Sequence, residues 1–348
     1  MAKNKGEWSE LYVLLYLLIN DKLNIVDENF NLLNRELFEV KKIFIKQKNN
    51  QLIFVLMENE IEVFLNNNFI VSLSKDEIKK YKDLLISSIK ENHGTFDIQE
   101  IEFFFKKIKV EKIKASSGSK EDIALLNRDL IKKKDVYLNY SIKSQLGSSA
   151  TILNASESTN IRYKVYNLDE VNLEDINSID TKKKLIERIQ KIKELGGKIV
   201  FDKIENETFE YNLRMIDSLM PEAVADVLLK SYEINNKNLK NLFELSSVYT
   251  DKQIALKKLS DLLNASSFGM VPSKLWNGYN IVNGGIIIVS NNEEIYVLDL
   301  VYYPEVVNRY LIKETKLDSP SSTRYNMLNL KKDENGIYFT LNLQIRYI

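Results

Sequence analysis

The chain has 348 residues, and its 49 Lys and Arg balance 49 Asp and Glu, so the formal net charge is zero. This excludes a strongly basic protein that coats nucleic acid, although one basic cleft on a neutral chain stays open. Cysteine is absent and His93 is the single histidine, which disfavours thiolate zinc sites and Ser-His-Asp catalysis. Any catalysis is expected to use carboxylates, lysines and a hard cation such as Mg²⁺.

The apolar run Leu11–Ile19 is too short to span a bilayer, and Glu10 and Asp21 flank it. No secretory signal pattern is visible. The sequence therefore predicts a cytoplasmic protein with no membrane association.

The first part of the chain mixes strand and helix patterns. Helices are predicted at 6–20, 75–91, 97–109 and around 151–154. Strands are predicted, from β-branched and aromatic runs bounded by turn residues, at 37–46, 51–57, 60–65, 110–115, 122–127, 136–145 and 161–166. The strands 122–127 and 136–145 are expected to pair as a hairpin.

After residue 166 the pattern becomes mainly helical and then returns to strands. Residues 168–178 are acidic and predict a loop. Helices are predicted at 181–195, 209–220, 222–232, 238–246, 251–263 and 304–313. Strands are predicted at 199–201, 284–289, 295–300, 327–331 and 336–347.

One acid and one lysine occupy notable places on the predicted hairpin. Asp122 begins its first strand, and Lys143 lies near the end of the second, where it shares a face with Ser141 and Gln145. A carboxylate-held Mg²⁺ with a nearby lysine can activate water and relieve charge on a phosphodiester. Spacing alone leaves an ion pair at a strand edge as the simpler interpretation.

Several segments, in order along the chain, carry a family resemblance. They are Lys5–Glu10, Ser116–Asp122, Ser141–Ser148, Thr151–Ser156 and Ser319–Arg324. Together they resemble the HpaII-like type II restriction endonucleases of the PD-(D/E)xK nuclease superfamily. The resemblance implies a mixed α+β fold, with a central mixed sheet flanked by helices, a helical insertion and C-terminal β-hairpins.

The same resemblance implies Mg²⁺-dependent cleavage of both strands of double-stranded DNA at a short specific site, for which CCGG is one guess. Such an enzyme belongs to a restriction-modification system, in which a cognate methyltransferase acts on the same site. A homodimer is one expected assembly, since palindromic sites favour two-fold symmetry. The alternatives are a modification-dependent or repair nuclease of the same fold, and a DNA-binding relative without catalysis.

Carried over residue by residue, the resemblance implies a catalytic set. Asp122 would hold the metal ion, Lys143 would assist the attacking water, and Gln145 would orient water or phosphate. Ser141 stands where a second acid is expected, so Glu10 on the first helix would support the metal shell. Glu7 and Glu10 could instead only stabilise the N-terminus of that helix.

Two polar loops are candidates for contacts with the DNA backbone. Gly147–Ser149 would present backbone N–H groups at the start of the predicted short helix, and Ser321–Arg324 combines hydroxyls with a guanidinium. Ordinary capped turns are the alternative for both, and Lys182–Lys184 is interpreted as a solvated helix start. The DNA-binding candidates are Lys114, Lys120, Ser148, Ser149, Ser322, Thr323 and Arg324.

Three regions are expected along the chain. Residues 1–166 would form the catalytic core with the N-terminal helix, and 167–280 a mostly helical region for DNA contacts or an interface. Residues 281–348 would form a β-rich region that could belong to the same single domain.

Overall fold

The computed structural model describes residues 2–33, 36–47, 49–110 and 119–348. In chain order the strands are β1 (Lys3–Asn4), β2 (Phe38–Gln47), β3 (Asn50–Leu56), β4 (Glu60–Leu65), β5 (Asn68–Ser74), β6 (Thr95–Phe96), β7 (Ile123–Asp129), β8 (Lys134–Ser144), β9 (Thr151–Leu153), β10 (Asn160–Tyr166), β11 (Lys198–Ile204), β12 (Gly285–Val289), β13 (Ile295–Asp299), β14 (Thr315–Leu317), β15 (Lys331–Asp333), β16 (Gly336–Asn342) and β17 (Ile345–Tyr347). The α-helices are α1 (Lys5–Ile19), α2 (Lys75–Glu91), α3 (Gln99–Lys107), α4 (Asn172–Ser178), α5 (Lys184–Glu194), α6 (Glu207–Ile216), α7 (Met220–Glu233), α8 (Leu239–Glu244), α9 (Lys252–Phe268) and α10 (Pro304–Lys313).

The chain divides into two compact units, of which the first comprises Met1–Ala150 and Asn280–Tyr310. It contains an eight-stranded sheet in the order β13-β12-β8-β7-β2-β3-β4-β5. Neighbouring strands are antiparallel except β12 and β8, which are parallel, so the sheet is mixed. The turn Asn66–Asn67 joins β4 to β5 with positive φ at both residues, as a two-residue hairpin turn requires.

Helix α1 is buried along most of its length because it packs against both α2 and β8. Its side chains join the sheet in one hydrophobic core, which explains why the helix is apolar on nearly every face. Asn4 caps its N-terminus: the Asn4 side chain accepts the backbone N–H of Glu7 at 3.0 Å, and the Glu7 carboxylate accepts that of Asn4 at 2.9 Å. Glu7 therefore serves this capping box, which is one of the two roles left open for it.

The second unit comprises Thr151–Tyr279 and Leu311–Ile348. It contains two antiparallel sheets, with the strand orders β11-β10-β16-β15 and β14-β17-β9. Helices α4 to α9 belong to this unit. Gly196, with φ of +80°, ends α5, and the N–H of Gly197 donates to Ile192 O at 2.8 Å, as predicted from the Gly pair.

Two predicted elements are wrong and a third is displaced. The displaced one is the strand predicted at 327–331, since residues 327 and 328 lie in a turn and β15 begins at Lys331. Residues 151–154, predicted as a short helix, contain strand β9, because Thr151 and Leu153 pair with β17 from the far end of the chain. The acidic segment 168–178, predicted as a loop, contains α4, which buries Ile176 and packs against α5. Both errors arise from tertiary packing that overrides weak local propensity. Of the strand predicted at 110–115, residues 111–115 lie outside the described residues.

The fold class is confirmed as mixed α+β, with a large mixed sheet, flanking helices and C-terminal strands. No α-helix in the described part of the chain combines the length and the apolarity that crossing a lipid bilayer requires.

Candidate active site

Asp122 lies immediately before β7, beside the second half of β8. Its backbone N–H donates to Tyr140 O at 3.0 Å, which continues the pairing of the two strands. Its side chain is buried, and Oδ2 accepts the backbone N–H of Ile142 at 2.7 Å and the hydroxyl of Ser141 at 3.2 Å. Strand pairing therefore orients this carboxylate through two donors on β8.

Lys143 is joined to the same carboxylate through Ser141. The Nζ atom of Lys143 donates to Ser141 Oγ at 2.8 Å, while that hydroxyl donates to Asp122. A hydroxyl has one hydrogen and two lone pairs, so both bonds can form together. The structure thus brings Asp122 and Lys143 together, and Ser141 and Lys143 share a face of β8 as strand alternation predicts.

Ser141 is the site feature that the sequence interpretation missed. From the sequence, Ser141 is notable only because it stands where a second acidic residue is expected. In the structure it is almost fully buried, and its hydroxyl connects Asp122 and Lys143 by hydrogen bonds. The available signal was its position two residues before Lys143, on the same face of the strand. The hydrogen bonds themselves depend on the register of β7 against β8, which no local pattern specifies.

Gln145 follows β8 and is held by the β12–β13 hairpin. Its backbone N–H donates to Val289 O at 2.8 Å, and its side-chain oxygen accepts the backbone N–H of Asn291 at 3.3 Å. These contacts fix Gln145 beside the turn of that hairpin, at the end of the strand that carries Lys143.

Glu10 lies on α1, half-buried, one residue after Ser9. The Ser144 hydroxyl donates to Ser9 Oγ at 2.8 Å, which holds this part of α1 against the end of β8. Within residues 2–33, 36–47, 49–110 and 119–348, no three His, Asp or Glu side chains are grouped so that they could hold a metal ion together. A metal ion at this place would therefore draw part of its shell from neutral oxygens or water.

The proposed DNA contacts fall in both units. Lys120, Ser148 and Ser149 belong to the first unit, and Lys114 lies outside the described residues. The anion site predicted at Gly147–Ser149 assumed a helix at 151–154, and strand β9 stands there instead. The helix N-terminus required by that interpretation is therefore missing.

Ser322, Thr323 and Arg324 belong to the second unit. Thr323 and Arg324 are exposed, and the Arg324 guanidinium lies 5.4 Å from the centre of the Tyr325 ring. The backbone N–H of Arg324 donates to Ser321 Oγ at 3.2 Å, so the loop is an ordered turn that presents a cation at its surface.

Comparison with known proteins places these residues in a family. The sequence profile of the HpaII restriction endonuclease family matches residues 4–347. The chain belongs to the HpaII restriction endonuclease family. Type II restriction enzyme HpaII of Haemophilus parainfluenzae is 34% identical to it over 358 residues, which cover 99% of this chain and 98% of the relative. No solved structure matches the chain. Membership in the HpaII family confirms the resemblance seen in the sequence motifs.

Proposed function

We propose that this member of the HpaII family hydrolyses phosphodiester bonds in both strands of double-stranded DNA at a short specific site. One observation carries the proposal: Asp122, Ser141 and Lys143 form a hydrogen-bonded chain on neighbouring strands of a protein that matches the family along nearly its whole length. CCGG is the first sequence to test. The cytoplasm is the proposed location, and a symmetric homodimer on a palindromic site the proposed assembly.

Type II restriction endonucleases generally use a divalent metal ion. The donors around Asp122 are oxygens, namely its carboxylate and the Ser141 hydroxyl, without sulfur or imidazole. Hard oxygen ligands suit Mg²⁺, so the donor chemistry fits this ion. Asp122 would hold it, with Glu10 supporting the shell. The bound ion would polarise the scissile phosphate and lower the pKa of a bound water.

The protein's own residues supply the remaining chemistry. An ammonium group has three N–H donors, so Lys143 can contact Ser141 and a phosphate oxygen at once, where it stabilises the charge that develops during attack. Ser141 sets the position of that ammonium group. Gln145 would orient water or phosphate from the end of β8. Lys114, Lys120, Ser148 and Ser149 of the first unit, and Ser322, Thr323 and Arg324 of the second, are the proposed backbone contacts.

Digestion of unmethylated plasmid DNA tests the function. With Mg²⁺ we expect discrete fragments that carry one sequence motif at every end, and chelation of the metal is expected to stop cleavage. Cleavage of methylated DNA alone would identify a modification-dependent nuclease instead. Binding of DNA without cleavage in Mg²⁺ or Mn²⁺ would identify a non-catalytic relative. Ser141, which occupies the position expected for a second acid, is the residue that favours this alternative. A methyltransferase specific for the same site would support the restriction-modification assignment.

Ser141→Ala tests the bridge between the acid and the lysine. The change removes the hydroxyl that positions Lys143, and we expect cleavage to slow by roughly tenfold to a hundredfold, the usual effect of removing a supporting hydrogen bond at a catalytic site. Ser72→Ala is the control, because it removes a hydroxyl on β5, the strand at the far edge of the same sheet, where that hydroxyl bonds to Glu60. Equal cleavage rates for the two variants would contradict the role given to Ser141.

A further inference from the structure

Two serine hydroxyls join α1 to the end of β8, directly after Lys143. Ser9 is fully buried near the beginning of this apolar helix, and its Oγ atom accepts the hydroxyl of Ser144 at 2.8 Å. The Ser9 hydroxyl donates to Lys5 O at 2.7 Å, and Ser144 Oγ accepts the backbone N–H of Leu146 at 3.1 Å. Both hydroxyl hydrogens of this serine pair are therefore used, which holds the two side chains in one orientation.

The part of β8 that carries Lys143 is paired with a strand along one edge. In the described part of the chain, β7 pairs with β8 only as far as Tyr140, whereas β12 accompanies β8 to its last residue, Ser144. On the edge that β7 leaves, the Asp122 carboxylate accepts the backbone N–H of Ile142. A strand end that is paired on one edge is less restrained than the middle of a sheet, so its position depends on other contacts.

Helix α1 supplies those other contacts. A Cβ atom on Gly147 would lie 3.2 Å from the Cβ atom of Lys5, so the loop after β8 approaches the helix closely, as glycine allows. Further along α1, the Tyr12 hydroxyl donates to Glu293 O at 3.1 Å, in the turn between β12 and β13. The end of β8 and the hairpin that pairs with it are therefore bound to the same helix.

The serine pair fixes the direction in which Lys143 points. Successive side chains of a strand leave opposite faces, so binding of the Ser144 hydroxyl to α1 directs Lys143 to the face that carries Ser141. On that face, the Nζ atom of Lys143 donates to Ser141 Oγ at 2.8 Å. A shift of the strand end would move this ammonium group, and a displacement of about 1 Å is enough to slow a reaction about a hundredfold.

We infer that Ser9 and Ser144 are positioning residues for DNA cleavage, because they hold the strand end that carries Lys143. Alanine would serve a purely structural role in α1 equally well, since it is the best helix former. Replacing both partners of a buried hydrogen bond by apolar groups is also nearly neutral for stability. The inference rests on the proposed function, since it takes Lys143 to act in cleavage.

Ser144→Val and Ser144→Thr test the serine pair with two side chains of the same shape, of which only Thr keeps the hydroxyl. Both suit a strand position, because β-branched residues are favoured there. In single-turnover cleavage, Ser144→Val is expected to be about tenfold slower than wild type, while Ser144→Thr stays within about twofold. The DNA concentration that gives half the maximal rate should not change, because the loss lies in the chemical step. Equal cleavage rates for the two variants would overturn the inference.

Combination with Lys143→Ala separates positioning from a general loss of structure. If the serine pair acts through Lys143, Ser144→Val should slow the Lys143→Ala protein by less than about twofold, because the group that it positions is already absent. A loss of about tenfold in both backgrounds would show a structural role and contradict the inference. Ser9→Ala should match Ser144→Val, and the two changes together should cost no more than either alone, because both break the same hydrogen bond.

The NMR signal of the Lys143 Cε atom tests the serine pair without cleavage. In protein that contains isotope-labelled lysine, this signal is assigned by its loss in Lys143→Ala. It is expected to move in Ser144→Val and to stay near its wild-type position in Ser144→Thr. Wild-type protein that cuts no DNA in Mg²⁺ or Mn²⁺ would overturn the proposed function, while a moved signal would still support the hold on Lys143. An unmoved signal in Ser144→Val would overturn the serine pair, whatever the result of the cleavage assay.

Discussion

Lys143→Ala is expected to lower the rate of DNA cleavage by about a hundredfold to a thousandfold while DNA binding survives. The variant removes the ammonium group that Ser141 holds beside Asp122, and the loss of one preorganised donor to a developing oxyanion has an effect of this size. Single-turnover cleavage, measured with enzyme in excess over a short duplex, separates this effect from binding and product release.

Lys134→Ala is the matched control for that experiment. Lys134 begins β8, at the opposite end of the strand from Lys143, and is exposed. The Lys134→Ala variant should therefore cleave DNA at the wild-type rate. Fluorescence anisotropy should give similar DNA affinities for Lys134→Ala and Lys143→Ala. Cleavage by Lys143→Ala at the wild-type rate would remove Lys143 from the catalytic set.

Asp299→Asn is expected to change how the stability of the protein depends on pH. Asp299 ends β13, is fully buried, and accepts the backbone N–H of Tyr302 at 2.6 Å. Burial raises the pKa of its carboxyl group from 3.8 to about 6, and the nearby Asp129 adds to the rise. This difference between the folded and unfolded chain corresponds to about 3 kcal/mol of unfolding free energy.

The sign of this contribution follows from which state binds the proton. Below about pH 4 the carboxyl group is protonated in both states and costs nothing. As the pH rises through the window from about 4 to 6, the unfolded chain ionises first, so the folded state loses stability, and the loss is complete above about pH 6. Asn stays neutral throughout. Relative to wild type, Asp299→Asn should gain about 2 kcal/mol between about pH 4.5 and 7.5.

Urea unfolding at those two pH values measures the difference. Tyr140→Phe is the control, because it removes the hydroxyl of a buried residue that feels the charge of Asp299 and keeps the Asp299 carboxyl group itself. It should keep the wild-type pH dependence. A difference between Asp299→Asn and wild type that is the same at both pH values would show that Asp299 titrates in its ordinary range.

Local signals in the sequence predicted most of the elements. Pro304 starts α10 and Gly196 ends α5, and apolar spacing marks the lengths of both helices. The hairpin of β7 and β8 was predicted from two apolar runs around a charged turn. Strand β9 was not predicted, because it is only three residues long and is stabilised by pairing with β17, which lies almost two hundred positions further along the chain. Neighbours so distant leave no trace in a local pattern.

The sequence by itself determined the kind of chemistry available and where its central residues lie. Without cysteine and with one histidine, the chain had to rely on carboxylates and lysines, and alternation along β8 put Ser141 and Lys143 on one face. The family followed from motifs spread along the chain, and the profile match confirmed it.

Only the tertiary structure decided how those residues are connected. The bond from Ser141 to Asp122 depends on the register of two strands, and Gln145 is held by Asn291, a residue from a distant hairpin. The cavity beside the start of α5 is lined by a helix start, a helix end and a loop from three separate parts of the chain. Such contacts are set by packing between segments far apart in sequence, whereas propensity and periodicity report only on neighbours.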